Sequence, residues 1–426
     1  MYFLKVALLL TGNELMTGDT VDSNSSRIAQ SLALQGFDVA HKVTVGDDLG
    51  LIVRELQNLT DRYEIVIVNG GLGPTVDDLT AEALSILSGQ ALAENAEALV
   101  HVKSWCEARG VDANAANLKQ TMLPADSAVL ANPVGSAVGI QLFFNESLLL
   151  CTPGVPSELT AMLDGSITEA LKRMFPFAKA RLVRRLKLFG MGESSLQQLL
   201  ADHCPDWPKE VTVGFRAGAP LLELKLEIDS IEHLHLRDDC EAQLQSIIGE
   251  FIVGENDDSL ASVVVDLLQQ RQQQITVAES CTGGMIASQI TGISGVSSVF
   301  EAGFVTYSNT IKQQLLGVDS DLIQQYGSVS EDVVRAMALG ALDSASADCV
   351  ISVSGIAGPN GGTAEKPVGT VWIAWGSRNN LQAKRFNYPV GRQFFQTMIS
   401  ALALDLVRRF LLGSTSLPDY FQRKLR

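Results

Sequence analysis

Ile275-Thr276-Val277-Ala278-Glu279-Ser280-Cys281-Thr282-Gly283-Gly284-Met285-Ile286-Ala287-Ser288-Gln289-Ile290 compresses a strand, a turn and a helix into one short stretch. The apolar run 275–278 predicts a short buried strand, and 285–290 predicts a helix stopped by Gly292. Between them stand a carboxylate, two hydroxyls, a thiol and two glycines. Open α/β sheets bind ligands at such strand-to-helix turns, at the carboxyl ends of the strands. The glycines let backbone N–H groups approach an anion at the helix N-terminus. Composition alone equally allows a tight turn of small residues around a buried cysteine.

The rest of the chain sets bounds on that reading. At 426 residues it is too long for one core, and two or three domains are expected. Apolar residues make up 46% and charged residues 19%, as in a packed globule. A formal charge of −16 argues against nucleic-acid or anionic-membrane partners, and any anionic ligand must be met by locally placed Lys or Arg. The six cysteines are scattered without a C-x-x-C pair, which reads as reduced, buried thiols of a cytoplasmic protein. The N-terminus enters a strand directly, so no signal peptide is expected, and no apolar run is long enough to span a bilayer.

Residues 1–170 alternate strand-like and helix-like stretches: strands at 6–10, 39–45 and 64–69, helices at 24–34 and 49–59. Near-continuous apolar strands separated by helices predict a doubly wound parallel sheet. The strand 65–68 runs into Asn69-Gly70-Gly71-Leu72-Gly73-Pro74-Thr75-Val76-Asp77-Asp78, ahead of a helix at 79–87. Three glycines permit close approach of a phosphate, and Asp77 or Asp78 offers hard oxygen to a divalent cation. Equally, the two aspartates serve as helix N-cap and first-turn acids whatever the function. The loop matches neither the Walker A nor the dinucleotide fingerprint.

Thr11-Gly12-Asn13-Glu14-Leu15, Gly18-Asp19-Thr20-Val21-Asp22-Ser23-Asn24, Val45-Gly46-Asp47-Asp48 and the loop 70–78 together resemble the molybdopterin-binding-like domain of CinA proteins. Asn132-Pro133-Val134-Gly135-Ser136-Ala137 and Thr152-Pro153-Gly154-Val155-Pro156-Ser157-Glu158 continue the match in order. The resemblance implies a MoaB/MogA-like fold and a metal-dependent ADP-ribose pyrophosphatase. It assigns nucleotide contacts to Gly70, Gly71, Gly73, Thr75, Asn132, Gly135, Ser136, Pro153 and Gly154, and the metal to Asp77 and Asp78. The family usually carries Thr at Ser136, which keeps the hydroxyl.

Residues 171–255 read as a small α+β unit: strands at 182–189, 211–215 and 221–228, helices at 193–201 and 231–249. The alternation of apolar and charged residues in 221–228 predicts a half-exposed sheet. No chemistry is evident there, and His233 and His235, two apart on a helix, point to different sides. Residues 256–413 form the third expected domain and 414–426 a tail. Here 259–270 and 393–411 read as helices, 299–306, 348–353 and 369–375 as strands, and Ser330 as the N-cap of another helix.

All five histidines lie before residue 256, so a hydroxyl nucleophile in the last segment needs Lys, Tyr, Glu or Asp as its base. Of the four lysines after residue 255, counting Lys424 of the tail, only Lys312 follows a strand end at the start of a helix. Desolvation can lower the pKa of such a lysine so that it works as a base, although a random helix lysine is more often solvated. Cys281 is the rival nucleophile, yet a lone buried cysteine usually behaves as a small hydrophobe.

Ala278-Glu279-Ser280-Cys281-Thr282-Gly283-Gly284, Tyr307-Ser308-Asn309 with Lys312, Gly355-Ile356-Ala357-Gly358-Pro359 and Gly369-Thr370-Val371 resemble the CinA C-terminal domain. That resemblance implies the PncC reaction, hydrolysis of nicotinamide mononucleotide to nicotinate mononucleotide and ammonia, without metal or organic cofactor. By position it assigns Ser280 as nucleophile, Lys312 as base and Tyr307 beside them. Glu279, Thr282, Gly283, Gly284, Ser354, Gly355 and Arg392 become the substrate residues, with Arg392 on the phosphate. The whole then reads as a homodimeric enzyme of pyridine-nucleotide salvage. The alternative is a non-catalytic pterin- or nucleotide-binding regulator associated with competence.

Overall fold

A computed structural model describes residues 4–178 and 182–422. The chain divides into two compact units, one reaching Leu182 and one beginning at Val183.

The first unit contains strands β1 (Leu4–Thr11), β2 (Phe37–Val45), β3 (Ile65–Asn69), β4 (Leu92–Glu94), β5 (Met122–Pro124), β6 (Ala128–Leu130), β7 (Gly139–Phe144) and β8 (Ser147–Thr152). Six form one sheet in the order β2-β1-β3-β8-β7-β6. β1 pairs in parallel with β2 and β3, and β3 with β8, whereas β7 runs antiparallel to β8 and β6. From Val6 to Thr11 every residue of β1 is buried, because both faces are covered. Ala7 and Leu9 point into one core with helices Leu49–Thr60 and Thr80–Ser88. Val6 and Leu8 point into the other, with helices Asn24–Ala33 and Pro156–Met162. This is the doubly wound α/β layering that the alternating pattern predicts. The helix expected from 79 begins at Thr80 with Leu79 at its N-cap, so Asp77 and Asp78 do not cap it.

The second unit holds two sheets. β9 (Leu182–Leu188), β10 (Thr212–Arg216), β11 (Leu222–Ile228) and β12 (Ile252–Glu255) order as β10-β11-β9-β12. The charged face of β11 is less exposed than its alternation suggests. Glu223 is 5% exposed because Lys187 (2.6 Å), Lys225 (3.7 Å) and Arg185 (3.8 Å) gather over it.

The larger sheet contains β13 (Ile275–Glu279), β14 (Phe300–Val305), β15 (Cys349–Gly355), β16 (Thr370–Ser377) and β17 (Asn380–Asn387), ordered β14-β13-β15-β16-β17. β14, β13 and β15 are parallel, and β16 and β17 return antiparallel. Helices Leu260–Arg271 and Arg392–Leu411 cover one face, and Glu331–Ala345 covers the other. Ser330 caps that last helix, its hydroxyl accepting from the Val333 N–H, as the sequence predicts.

Near its end the helix Arg392–Leu411 buries charges. Asp405 accepts from Arg408 Nε (2.8 Å) and Arg409 Nε (2.6 Å). Arg408 also donates to the carbonyls of Ile252 and Glu250. All six cysteines are free and buried. Among the described residues no helix is long and apolar enough to cross a membrane.

Candidate functional site

The parallel strands β14, β13 and β15 end side by side, and a cavity of about 200 Å³ opens there. Ser280 follows β13 and is held by its N–H donating to Val353 O. Beyond it Gly283 and Gly284 take φ of +67° and +95°, a region L side chains rarely enter, so the turn can close onto helix Met285–Thr291. The N–H groups of Gly284, Ile286 and Ala287 donate to the Glu279 carboxylate at 3.0, 3.2 and 2.8 Å. The anion at this helix start is therefore the chain's own, and the helix N-terminus is not open to a ligand as the sequence suggested.

Lys312 projects from helix Asn309–Leu316 and is 1% exposed. Its Nζ lies 3.1 Å from Ser280 Oγ, 2.6 Å from Thr306 O and 3.5 Å from Tyr307 O. Burial, with no ion pair to offset it among the described residues, pulls its pKa down to about 8. Burial pushes the Cys281 thiol up to about 12, an effect the charge of Glu279 reinforces. Cys281 is thus a thiol at neutral pH and a poor nucleophile. At the other side of the cavity Arg392 donates to Gly358 O and to the Tyr307 hydroxyl, both at 3.0 Å. Among the described residues no acidic side chain lines this cavity, so a chain of net charge −16 carries here a pocket walled by two cations.

In the first unit, strand ends and glycine loops surround a larger cavity of about 490 Å³. Gly70 and Gly71 have φ of +116° and +67°, and a side chain there would meet Thr11 O at 2.6 Å and Thr80 Oγ1 at 2.4 Å. The loop that follows is braced by its own groups. Thr75 N–H and hydroxyl donate to the Asp78 carboxylate at 2.8 and 2.5 Å, and Lys119 Nζ donates to Thr75 O and Asp78 O. Glu14, Asp47, Asp77 and Asp78 share one wall. Burial raises the Asp47 pKa, and the charges of Glu14, Asp77 and Asp78 raise it further.

Among the described residues no three His, Cys, Asp or Glu side chains are arranged to hold a metal by themselves. The carboxylates do fit a hard cation that keeps phosphate oxygens and waters and takes one or two protein ligands, since such a charge relieves their mutual repulsion.

Residues 7–173 match the model described as a probable molybdopterin binding domain, and 257–411 match that of the CinA C-terminal domain. A CinA-like protein of Colwellia psychrerythraea is 49% identical over 99% of this chain and 98% of that protein. The chain belongs to the CinA family. A CinA-like protein of Geotalea uraniireducens is 37% identical over 97% of this chain and 99% of its own. The crystal structure of the competence/damage inducible protein CihA from Agrobacterium tumefaciens is 38% identical, covering 35% of this chain and 93% of its own, with a TM-score of 0.35.

In this CinA-family chain, the second-unit cavity gathers Ser280, Tyr307, Lys312, Ser354, Gly355 and Arg392 from the sequence assignment. Glu279, Thr282, Gly283 and Gly284 do not line it; they shape the turn behind it. Tyr307 comes to the cavity, but its hydroxyl meets Arg392 rather than the Ser280–Lys312 pair. Sequence reading missed Ser328, whose carbonyl accepts from Ser354 Oγ at 2.7 Å, and Gln396, which donates to Cys281 O at 2.9 Å. Neither residue type carries a chemical signal.

Around the first-unit cavity stand Gly70, Gly71, Gly73, Thr75, Asp77, Asp78, Ser136, Pro153 and Gly154. Asn132 and Gly135 lie outside its lining. Asn132 is 1% exposed and braces the loop, donating to Ala137 O and Glu158 Oε2 and accepting from Gly135 N–H. Asp47 and Glu158 line the cavity and lay unassigned inside quoted motifs.

Proposed function

We propose that the second unit is a nicotinamide mononucleotide amidase. The observation carrying this reading is the buried Lys312 Nζ at 3.1 Å from Ser280 Oγ, with a pKa lowered to about 8 by burial. In its neutral form Lys312 takes the Ser280 proton as Oγ attacks the carboxamide carbon. The carbonyl oxygen becomes an oxyanion, which backbone N–H groups of the turn after Ser280 would stabilise. Collapse breaks the C–N bond, and Lys312 returns the proton to the departing ammonia. Water then attacks the acyl-serine ester, giving its proton to Lys312. The C–Oγ bond breaks, and Ser280 recovers its proton as nicotinate mononucleotide leaves. Arg392, steadied by Tyr307 and Gly358, supplies charge for the substrate phosphate. The chemistry needs no cofactor.

For the first unit we propose metal-dependent hydrolysis of ADP-ribose to AMP and ribose 5-phosphate. The glycine-rich wall accommodates a diphosphate, and the acidic wall, with Asp77 or Asp78 as cation ligand and Asp47 beside them, supports a divalent ion held jointly with it. That ion would supply neutralisation of the diphosphate charge. Both activities would recover fragments of pyridine dinucleotides in a cytoplasmic homodimer.

The test is direct. The purified full chain should release ammonia and nicotinate mononucleotide from nicotinamide mononucleotide. With magnesium or manganese it should release AMP from ADP-ribose. A folded protein that releases no ammonia overturns the first assignment. Binding of ADP-ribose without AMP release under any divalent ion overturns the second in favour of a binding role.

A further inference from the structure

A second, smaller cavity of about 100 Å³ adjoins the large one in the first unit and shares Thr11, Glu14, Gly154 and Pro156 as walls. Its polar groups are fixed in an unusual way. Asn69 Nδ2 donates to Thr152 Oγ1 (3.0 Å) and Pro153 O (2.7 Å), so Asn69 Oδ1 is turned toward Asn24 as an acceptor. Asn24 Nδ2 donates to that oxygen at 2.9 Å and to Gly154 O at 2.7 Å. Flipping either amide would set oxygen against oxygen, so each orientation is determined. The relay ends in Asn24 Oδ1, a buried acceptor without a donor among the described residues.

Thr11, 6% exposed and lining both cavities, has a hydroxyl that is likewise unpartnered. The Glu14 carboxylate, on an exposed residue, lines both as well and receives no hydrogen bond among the described residues, so the buried unpartnered atoms are those of Thr11 and Asn24. Buried acceptors left without donors cost free energy and mark places where a ligand can supply them.

We propose that the two cavities form one bipartite site, whose small chamber takes the hydroxyl-bearing end of a nucleoside diphosphate ligand. This rests on the first-unit reading above and adds what selects the ligand. Asn24 Oδ1, Glu14 and Asp22 only accept, Thr11 can do either, and among the described residues neither Lys nor Arg lines the chamber. A sugar diol, rich in donors and uncharged, satisfies these groups. A terminal phosphate would face the charges of Glu14 and Asp22, and Lys42, which reaches Asp22 at 3.1 Å, is already spent on that carboxylate. The chamber therefore discriminates a sugar-capped diphosphate from one ending in phosphate, and the phosphates lie along the glycine wall of the larger cavity.

The experiment is calorimetric titration of the full chain, with magnesium, using two ligands whose diphosphate bridge is methylene and cannot be hydrolysed: the analogue of ADP-ribose and that of ADP. The unmodified protein should bind the sugar-capped ligand at least about tenfold more tightly. Asn24→Ala and Thr11→Val should each cut that ratio to about threefold or less while leaving the affinity for the ADP analogue within about twofold. Thr11→Val keeps the shape and removes a hydroxyl that bonds nothing in the protein, so it separates recognition from misfolding. A ratio near one in the unmodified protein, or equal weakening of both ligands in both variants, overturns the chamber's role while leaving the nucleotide reading standing. Failure of the folded protein to bind either analogue overturns both.

Discussion

The two cavities reach opposite electrostatic solutions within one acidic chain. The first-unit cavity is walled by glycine backbone and carboxylates. It presents N–H groups and negative charge, and an anionic ligand there calls for a cation from solution. Among the described residues the second-unit cavity has no carboxylate in its wall, and it carries Lys312 and Arg392. The carboxylate of Glu279, next to Ser280 in sequence, is taken up by three N–H groups of its own turn. Net charge is thus a poor guide to a site: the sign that matters is set by which few charges face the cavity.

That contrast can be broken at several points. The largest effect should come from Ser280→Ala, which we expect to lower ammonia release from nicotinamide mononucleotide by about 10³-fold or more, with Cys281→Ala within about threefold of the unmodified protein. The reverse ranking would move the nucleophile to Cys281. Lys312→Met should cost about 10²- to 10⁴-fold in kcat. In the unmodified enzyme kcat/KM should rise with pH and level off above about 8, where Lys312 has lost its proton. A profile flat from pH 6 to 9 would remove Lys312 as the base.

Chelation sharpens the comparison. Excess EDTA should abolish AMP release from ADP-ribose and leave ammonia release unchanged; loss of both would mean that the cavities do not differ in the way their walls suggest. Arg392→Ala should raise KM for the mononucleotide about tenfold with little change in kcat, and should leave the phosphate-free riboside unaffected. An unchanged KM would take Arg392 off the phosphate.

The smallest effect is thermal. The folded pKa of Lys312 is about 8 and its ordinary value 10.5, so the unfolded chain holds the proton more tightly. The resulting penalty is full below pH 8 and fades as pH rises toward 10.5. Lys312→Met should therefore melt roughly 2 °C or more above the unmodified protein at pH 7, with the gap narrowing by pH 10. A gap that does not change with pH would mean that the charge is not the cause.

Much of this was legible in the chain because the signals are local. The buried strands at 65–69 and 275–279, the glycine turns after them and the Ser330 cap follow from neighbours in sequence. The pairing of Ser280 with Lys312 was reachable by elimination of histidine and by family resemblance. What stayed hidden depends on distant partners. The alternation in β11 could not reveal that Lys187 and Arg185 fold over Glu223, since both belong to another strand. Nor could the turn sequence show that Glu279 would claim the helix N–H groups. Asn24 and Asn69 read as ordinary polar residues until β8 brings Thr152 and Pro153 beside them.

The buried charges of the closing helix reach beyond both sites. Arg408 holds the carbonyls of Glu250 and Ile252 while sharing Asp405 with Arg409, so the segment leading into β12 is fastened to the helix that covers the larger sheet. Melting the small sheet alone would take both carbonyl acceptors from the buried Arg408 guanidinium and leave it only Asp405, which it shares with Arg409 on the same helix, a cost that opposes partial opening. The two sheets of the second unit should accordingly lose their structure in one cooperative transition, and amide exchange in β12 should keep pace with that of the closing helix.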